Sequence, residues 1–403
     1  MAGILDGLFN GISIGAVLLM AALGLAIVFG LMGVINMAHG ELMMLGGYTT
    51  FVVQNSFKNL GESWFEVYVF AALPIAFLVT ALVGLALERG VVRFLYGRPL
   101  ETLLATWGVS LILQQFVRSV NWVLAIGLAL FCLLFFGGLW FISRRADFPR
   151  IRGGVIAILL PLSAALTFLT GKILSGTYKL AVTKPWFGAQ NVDVTAPKWL
   201  RGGLVLGSLQ LPYARLFIIG LTLLCILGIY LFLQRSPWGL RIRAVTQNRT
   251  MSACLGIPTT KVDALTFALG SGLAGIAGCA VSFLGPVGPN TGQIYIVDTF
   301  MVVVVGGVGN LLGSIIAAMS IGAANYIIGS GVVLPILGSA ASYVASSEIL
   351  KPLLSEIIKS VTGFFEFFST IPMAKVMVYA LIFGFLQLRP AGIFPQKGRM
   401  ADG

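Results

Sequence analysis

The sequence predicts an all-α polytopic membrane protein with about eleven transmembrane spans, broken or re-entrant helices and pseudo-symmetric halves. Of its 403 residues, 58% are hydrophobic and 10% are charged, whereas about 25% of a soluble domain is charged. A water-facing globule could not bury so much apolar surface, which excludes a cytosolic enzyme, a disordered chain and a secreted disulfide scaffold. The net charge of +12 lies in short stretches between apolar runs, as membrane topology requires and nucleic-acid binding does not.

Apolar runs define the order of the predicted spans. A span needs about 20 apolar residues, and fewer where a helix is broken or lines a cavity. The runs are Ile4–Val28, Met37–Val53, Tyr68–Leu87, Leu103–Phe116, Trp122–Ile142, Val155–Thr170, Leu216–Leu233, Val262–Leu284, Ile294–Val308, Leu311–Ile328 and Met373–Leu388. We expect the first run to be a retained span, because it lacks the basic segment and clear cleavage site of a signal peptide.

Basic loops predict which side of the membrane each connection faces. Lysine and arginine concentrate at 89–98, 144–152, 235–261 and 389–399, and the positive-inside rule places these stretches in the cytoplasm. The N-terminus is then outside and the C-terminus inside. Residues 177–215 become an external loop, although its own lysines oppose the rule. Residues 331–372 become an extended segment, either an external helical pair or an interfacial helix on lipid.

Groups that catalysis would need are scarce. Gly171-Lys172 is followed by Ile173 instead of Ser or Thr, so it cannot end a magnesium-binding P-loop. A zinc site with several histidines is impossible, because His39 is the single histidine. The four cysteines are far apart and lack metal or redox spacing. These absences alone leave an intramembrane hydrolase open, but nothing in the sequence favours one. We expect a chain that is not an enzyme and that binds no cofactor or metal.

Polar side chains in two glycine-interrupted apolar stretches mark a candidate substrate pathway. The candidates are Asn36, His39 and Glu41 in the first stretch, and Asn290, Gln293 and Asp298 in the second. Broken helices carrying such side chains form the midplane sites of transporters. Simpler alternatives are a cytoplasmic turn with Glu41 at a helix N-terminus, and Asp298 as a helix N-cap.

The basic loop 235–261 contains a segment too polar to span. Residues Ala244–Leu255 predict one short amphipathic helix, ended by Gly256 and Pro258. Such a helix could dock on a soluble partner. The alternative is a basic interfacial helix on anionic lipid.

Several motifs resemble those of known transport proteins. Arg243-Ala-Val-Thr-Gln-Asn-Arg249 with Ala253-Cys-Leu-Gly-Ile257 resembles the coupling loop of ABC importer permeases. Gly33-Val-Ile-Asn-Met-Ala-His-Gly-Glu41 resembles the N-terminal signature of the branched-chain amino acid permease family. The segments 187–194, 253–258 and 288–307 are most similar to the urea-transporting members of that family. The likeness covers about residues 4–120, 180–330 and 373–399.

The resemblance implies a single transmembrane permease domain over residues 1–403, in a multi-pass subunit of the bacterial inner membrane. The implied partners are a second homologous permease subunit, two cytoplasmic ABC ATPases, which hydrolyse the ATP, and a periplasmic solute-binding protein. Membrane lipid surrounds the chain, and no nucleic acid is expected. The residues implied to couple to the ATPases are Arg243, Gln247, Asn248, Arg249, Ala253 and Gly256.

Urea is the expected cargo of this importer. The nearest alternative cargo is a branched-chain amino acid, and a further alternative is an ATP-independent channel or secondary carrier. An intramembrane enzyme built around His39 is the most distant possibility. Two stretches depart from the family pattern: residues 121–176, interpreted as an inserted pair of spans, and residues 331–372.

The coupling assignment predicts the effect of two substitutions. Gly256→Pro and Arg249→Glu should separate ATP hydrolysis from solute uptake while leaving membrane insertion intact. Uptake, ATPase stimulation and membrane abundance would be measured with the binding protein present. Normal uptake by both variants would contradict the assignment.

Overall fold

Apolar α-helices build nearly all of the structure, which confirms the predicted fold class. The computed structural model describes residues 2–143, 148–177, 184–188, 190–206, 209–331, 360–364 and 366–394. The chain divides into two compact units, one of residues 1–110 with 192–403 and one of residues 111–191. Most of the predicted segment 331–372 lies outside the described residues, as does part of the basic loop 144–152.

The helices follow the predicted apolar runs. They are α1 (Ala2–Met32), α2 (His39–Lys58), α3 (Glu62–Phe65), α4 (Tyr68–Gly90), α5 (Pro99–Ser119), α6 (Trp122–Ser143), α7 (Phe148–Thr177), α8 (Tyr213–Arg235), α9 (Pro237–Gln247), α10 (Arg249–Cys254), α11 (Thr259–Val281), α12 (Thr291–Gly306), α13 (Leu311–Gly329) and α14 (Ile371–Leu388). Short 3-10 turns lie at Val92–Leu95 and Lys198–Leu200.

Eight helices of the described residues are long and apolar enough to cross a membrane, fewer than the predicted eleven. They are α1, α4, α5, α6, α7, α8, α11 and α13. The other predicted spans correspond to α2, α12 and α14. Of these, α12 has only 16 residues, and α14 bends by 108° from the preceding helical segment Ser360–Phe368. Helix α2 is 20 residues long, but its His, Glu, Gln and Asn side chains make it too polar to count as a span.

Close backbone contacts hold the larger unit together. The apolar stretches of α1 and α11 are 83% and 78% buried, against 28% for α4 and 22% for α8, so α1 and α11 lie at the centre. A Cβ atom added at Gly278 of α11 would overlap the Met43 carbonyl of α2. Gly24 of α1 meets Gly270 of α11 in the same way. Small residues permit this approach, which matters because lipid supplies no hydrophobic force between helices.

Basic segments of the larger unit lie at one end of it. Arg249 of α10 pairs with Asp263 near the start of α11, and Tyr96 bonds to Glu88 near the end of α4. The amide of Ile393, beyond α14, donates to the Val305 carbonyl at 2.8 Å. The Arg249 guanidinium lies over the Tyr96 ring, Thr246 of α9 bonds to the Leu31 carbonyl, and Gly30 meets Gly309 just after α12. Residues 89–98, 235–261 and 389–394 therefore lie at one end, as the positive-inside rule predicts for cytoplasmic loops.

The opposite end of the larger unit carries a small antiparallel hairpin, β1 (Gly203–Leu206) and β2 (Leu209–Pro212). The sequence predicts only an external loop over residues 177–215. Its strand signals are short apolar runs of four residues each. Val192 also forms an antiparallel bridge with Val287, which fixes the loop against the segment before α12.

Within the smaller unit, α6 and α7 run antiparallel. Gly127 faces Thr167, and Gly138 faces Leu159. The apolar stretch of α6 is 0% buried, and that of α7 is 6% buried. This exposure fits helices that face lipid, and the interpretation of residues 121–176 as an insertion stays a prediction.

Gly278→Ala should destabilise the protein by about 1–3 kcal/mol, because the new methyl group must displace the Met43 backbone. Gly228→Ala on α8 is the matched control, since nothing lies within 4 Å of its Cβ position. The free energy of unfolding would be measured by denaturant titration in detergent micelles. Equal stability of the two variants would contradict the proposed packing.

Candidate functional site

Helix α2 begins inside the bundle instead of at its surface. His39 Nε2 lies 3.0 Å from the Ala21 carbonyl oxygen, and Ala21 is near the middle of the α1 span Phe9–Met32. The His39 ring also faces Gly24, next to Gly270 of α11. Residues 33–38 therefore return the chain into the bundle, and α2 is a helix that starts at depth.

Helix α12 begins against the start of α2. A Cβ at Gly292 would lie 2.7 Å from Glu41 Cδ and Oε2, and Gly40 faces the Gly292 carbonyl. Glu41 is in the first turn of α2, so its carboxylate lies at two helix N-termini, whose partial positive charge favours an anion. Ser110 Oγ donates to Glu41 Oε1 at 3.1 Å. These contacts offset part of the cost of burying a carboxylate that is 1% exposed.

Two buried polar atoms at this junction lack a hydrogen-bond partner among the described residues. They are Nδ2 of Asn36 and Nδ1 of His39, on side chains that are 1% and 0% exposed. Because His39 Nε2 faces a carbonyl, we assign its proton there, which leaves Nδ1 as an acceptor. A buried unmade bond costs about 1–3 kcal/mol. The junction therefore offers one donor and one acceptor to water or solute.

The three predicted pathway residues of the second stretch differ in burial. Asn290 and Gln293 flank Gly292 but are exposed. Asp298 is buried in the middle of α12, so its alternative role as an N-cap is wrong. Its carboxylate accepts from Lys375 Nζ at 3.0 Å and from the Tyr379 hydroxyl, both on α14.

Sequence reasoning missed the partners of these residues. Lys375 is a lone cation in the apolar run of α14, a signal that could have been used because a charge at membrane depth requires a partner. Ser110 and Gly292 carry no such signal, since serine and glycine are ordinary in spanning helices. Their importance comes only from the way α5 and α12 meet α2.

The predicted helix Ala244–Leu255 is two helices, α9 and α10. Asn248 separates them, because its backbone is extended at φ −152° and its side chain caps α10 by accepting from the Met251 amide at 2.9 Å. Ser236 caps α9 by accepting from the Gly239 amide at 3.0 Å. Gly256 follows α10 with φ +81°, which favours glycine.

All six predicted coupling residues are exposed. They are Arg243, Gln247, Asn248, Arg249, Ala253 and Gly256. Beside them, Leu255 is 75% exposed and Met251 59%. Exposed apolar side chains rimmed by polar ones are typical of a protein interface. Arg249 differs, because it pairs with Asp263 and lies over the Tyr96 ring.

A cavity of about 300 Å³ lies near Tyr68, at the first residue of α4 and away from the Glu88 end of that helix. Its lining residues are Gln54, Lys58, Gly61, Glu62, Phe65, Glu66, Thr195, Lys198 and Arg201. Both signs of charge are present, and the Lys198 amide donates to Glu66 Oε2 at 2.8 Å. This cavity could not be predicted from the sequence, since its lining residues come from two distant segments.

The sequence is similar to known permeases. The family described as "Branched-chain amino acid transport system / permease component" matches residues 7–386. The high-affinity branched-chain amino acid transport system permease protein LivH of Escherichia coli is 25% identical over 79% of this chain and 84% of its own length. BraD of Pseudomonas aeruginosa, which has the same description, is 26% identical over the same shares. A probable LivH of Methanocaldococcus jannaschii is 23% identical over 76% and 75%. No solved structure matches the chain significantly.

The Asp298 pair predicts a stability change that can be reversed. Lys375→Met should lower the free energy of unfolding by about 3 kcal/mol, because a carboxylate with 6% side-chain exposure loses its cation. The double variant Lys375→Met/Asp298→Leu should regain most of that loss, since no buried charge remains. Denaturant titration in detergent would measure both. A double variant no more stable than Lys375→Met would contradict this account.

Proposed function

Because the chain belongs to the branched-chain amino acid transport permease family, we propose that it is the permease subunit of an ATP-driven importer for branched-chain amino acids. The family match extends over most of the chain, and LivH of Escherichia coli and BraD of Pseudomonas aeruginosa are high-affinity permeases for that cargo. The expected cargo, urea, finds no support among these relatives. It remains the other arm of the test below.

The buried carboxylate of Glu41 is the observation that carries the choice of cargo. A neutral solute such as urea needs only amides and carbonyls along its path, and a fixed buried charge would add desolvation cost. An amino acid brings an ammonium group, which a carboxylate at depth can attract. The Asn36 amide nitrogen is a buried donor at the same junction, and it can donate a hydrogen bond to the carboxylate of the amino acid.

The partners follow from the same proposal. The exposed surface of α9 and α10, with Met251 and Leu255 at its centre, docks a cytoplasmic ABC ATPase. A second homologous permease subunit and a second ATPase complete the importer, which lies in the bacterial inner membrane. A periplasmic binding protein delivers the solute to it. ATP binding closes the ATPases, and the helices that meet at His39 and Gly292 rearrange to open the path inward.

Uptake of labelled leucine and labelled urea tests both class and cargo. Cells would carry this permease with its genomic neighbours, with or without a Walker-lysine substitution in the neighbouring ATPases. We expect leucine uptake that falls to background in the Walker variant. Urea uptake alone would keep the importer and overturn the cargo, and uptake indifferent to the ATPases would overturn the importer.

Glu41→Gln provides a second arm in the same assay. The amide keeps the shape and the Ser110 contact but removes the charge, so leucine uptake should fall about tenfold at unchanged membrane abundance. Glu101→Gln makes the same change at an exposed carboxylate outside the predicted pathway and is the matched control, which should keep the parent's uptake. Equal uptake by Glu41→Gln and the parent would remove Glu41 from the pathway.

A further inference from the structure

Four side chains from four segments form a chain of contacts at the cytoplasmic end of the larger unit. Arg249 Nη2 of α10 donates to Asp263 Oδ2 of α11. The Arg249 guanidinium also lies 5.1 Å from the ring centre of Tyr96, in the connection between α4 and α5. The Tyr96 hydroxyl donates to Glu88 Oε1 of α4 at 3.0 Å. One arginine of α10 is thereby joined to both α4 and α11.

These contacts are stronger than those of a surface ion pair. The Asp263 side chain is 4% exposed and Arg249 45%, whereas the nearby pair Arg98–Glu101 has exposures of 66% and 55%. Exposed pairs contribute little to stability, but partly desolvated, charge-assisted contacts contribute more. Burial raises the pKa of the Tyr96 hydroxyl, and the Glu88 carboxylate raises it further. Tyr96 is therefore protonated and acts as the donor.

Helix α10 depends on such contacts for its position. It has only six residues, and isolated helices shorter than about 12 residues are marginal in water. It is bounded by the extended Asn248 and by Gly256 at φ +81°. Met251 within it and Leu255 just after it are exposed, and Ser252 is buried. Arg249 supplies its ion-pair anchor.

The helices that receive the anchor lead to the junction described above. Helices α4 and α11 interlock where Gly84 meets Ser271 and where Gly275 meets Thr80. Next to Ser271 on α11, Gly270 contacts Gly24, whose other neighbour is the His39 ring. A displacement of α10 is therefore passed through rigid, closely packed helices toward the start of α2.

We propose that Arg249, Asp263, Tyr96 and Glu88 position α10 and transmit its displacement to α4 and α11. Arg249 then acts within the permease, and the neighbouring Met251 and Leu255 contact the ATPase. The transmission part rests on the proposed importer function. The positioning part concerns the permease alone.

Hydrogen exchange of the purified permease tests the positioning. Asp263→Asn keeps the shape of the side chain but removes its charge, so the amides of residues 249–254 should exchange about tenfold faster. Glu101→Gln removes the exposed pair with Arg98 and should leave those amides within about twofold of the parent. Unchanged exchange in Asp263→Asn would overturn the proposal whatever the cargo.

Reconstitution with the ATPases and binding protein tests the transmission. For Asp263→Asn we expect solute transported per ATP hydrolysed to fall about fivefold, at unchanged abundance, and Tyr96→Phe to show a smaller fall. The charge-exchanged variant Arg249→Asp/Asp263→Arg should regain part of the loss. Unchanged transport per ATP, or a fall matched by the loss of folded permease, would overturn transmission. Faster exchange in α10 without any ATP-dependent uptake would instead count against the importer function and leave the positioning role supported.

Discussion

Close backbone contact between α11 and its neighbours is the constraint on which the rest of the structure depends. Gly270, Gly275 and Gly278 each lie where a side chain would overlap α1, α4 or α2. In lipid, where apolar surface gains nothing by leaving solvent, this contact supplies dispersion and excludes gaps. Because α11 touches three helices in this way, the contact of Asp263 with Arg249 and the interior contacts of Gly270 belong to one rigid element.

The same close packing makes a polar junction possible at depth. Gly40 and Gly292 allow two helix starts to meet, and bulkier residues there would separate Glu41 from the N-terminus of α12. The carboxylate thus has two helix dipoles and Ser110 as neighbours in place of water. Stability and polarity are linked here, since the contacts that hold the bundle together also reduce the cost of the buried charge.

The positions of the helices in the chain could be predicted from the sequence better than the contacts between them. Apolar runs identify α1, α4 and α8 directly, because lipid demands long uncharged segments. The sequence could not fix the depth at which α2 begins, since a surface turn and a broken helix have the same composition. Asn248 shows the limit on a smaller scale: its residue type is common in helix caps, yet it lies inside a segment whose periodicity suggests one helix. Lys375 could have been recognised from the sequence as a charge that needs a partner. Its pairing with Asp298 could not, because that depends on how α14 lies against α12.

The hydrogen bonds beyond α14 have a consequence for biosynthesis. The last carbonyls of α12 include those of Val305 and Gly306, and their donors are the amides of Ile393 and Phe394. Those donors leave the ribosome long after α12 has been translated. The end of α12 therefore stays open throughout translation, and a chain released before Ile393 lacks both donors. This helix end therefore obtains both bonds only after α14 has been synthesised.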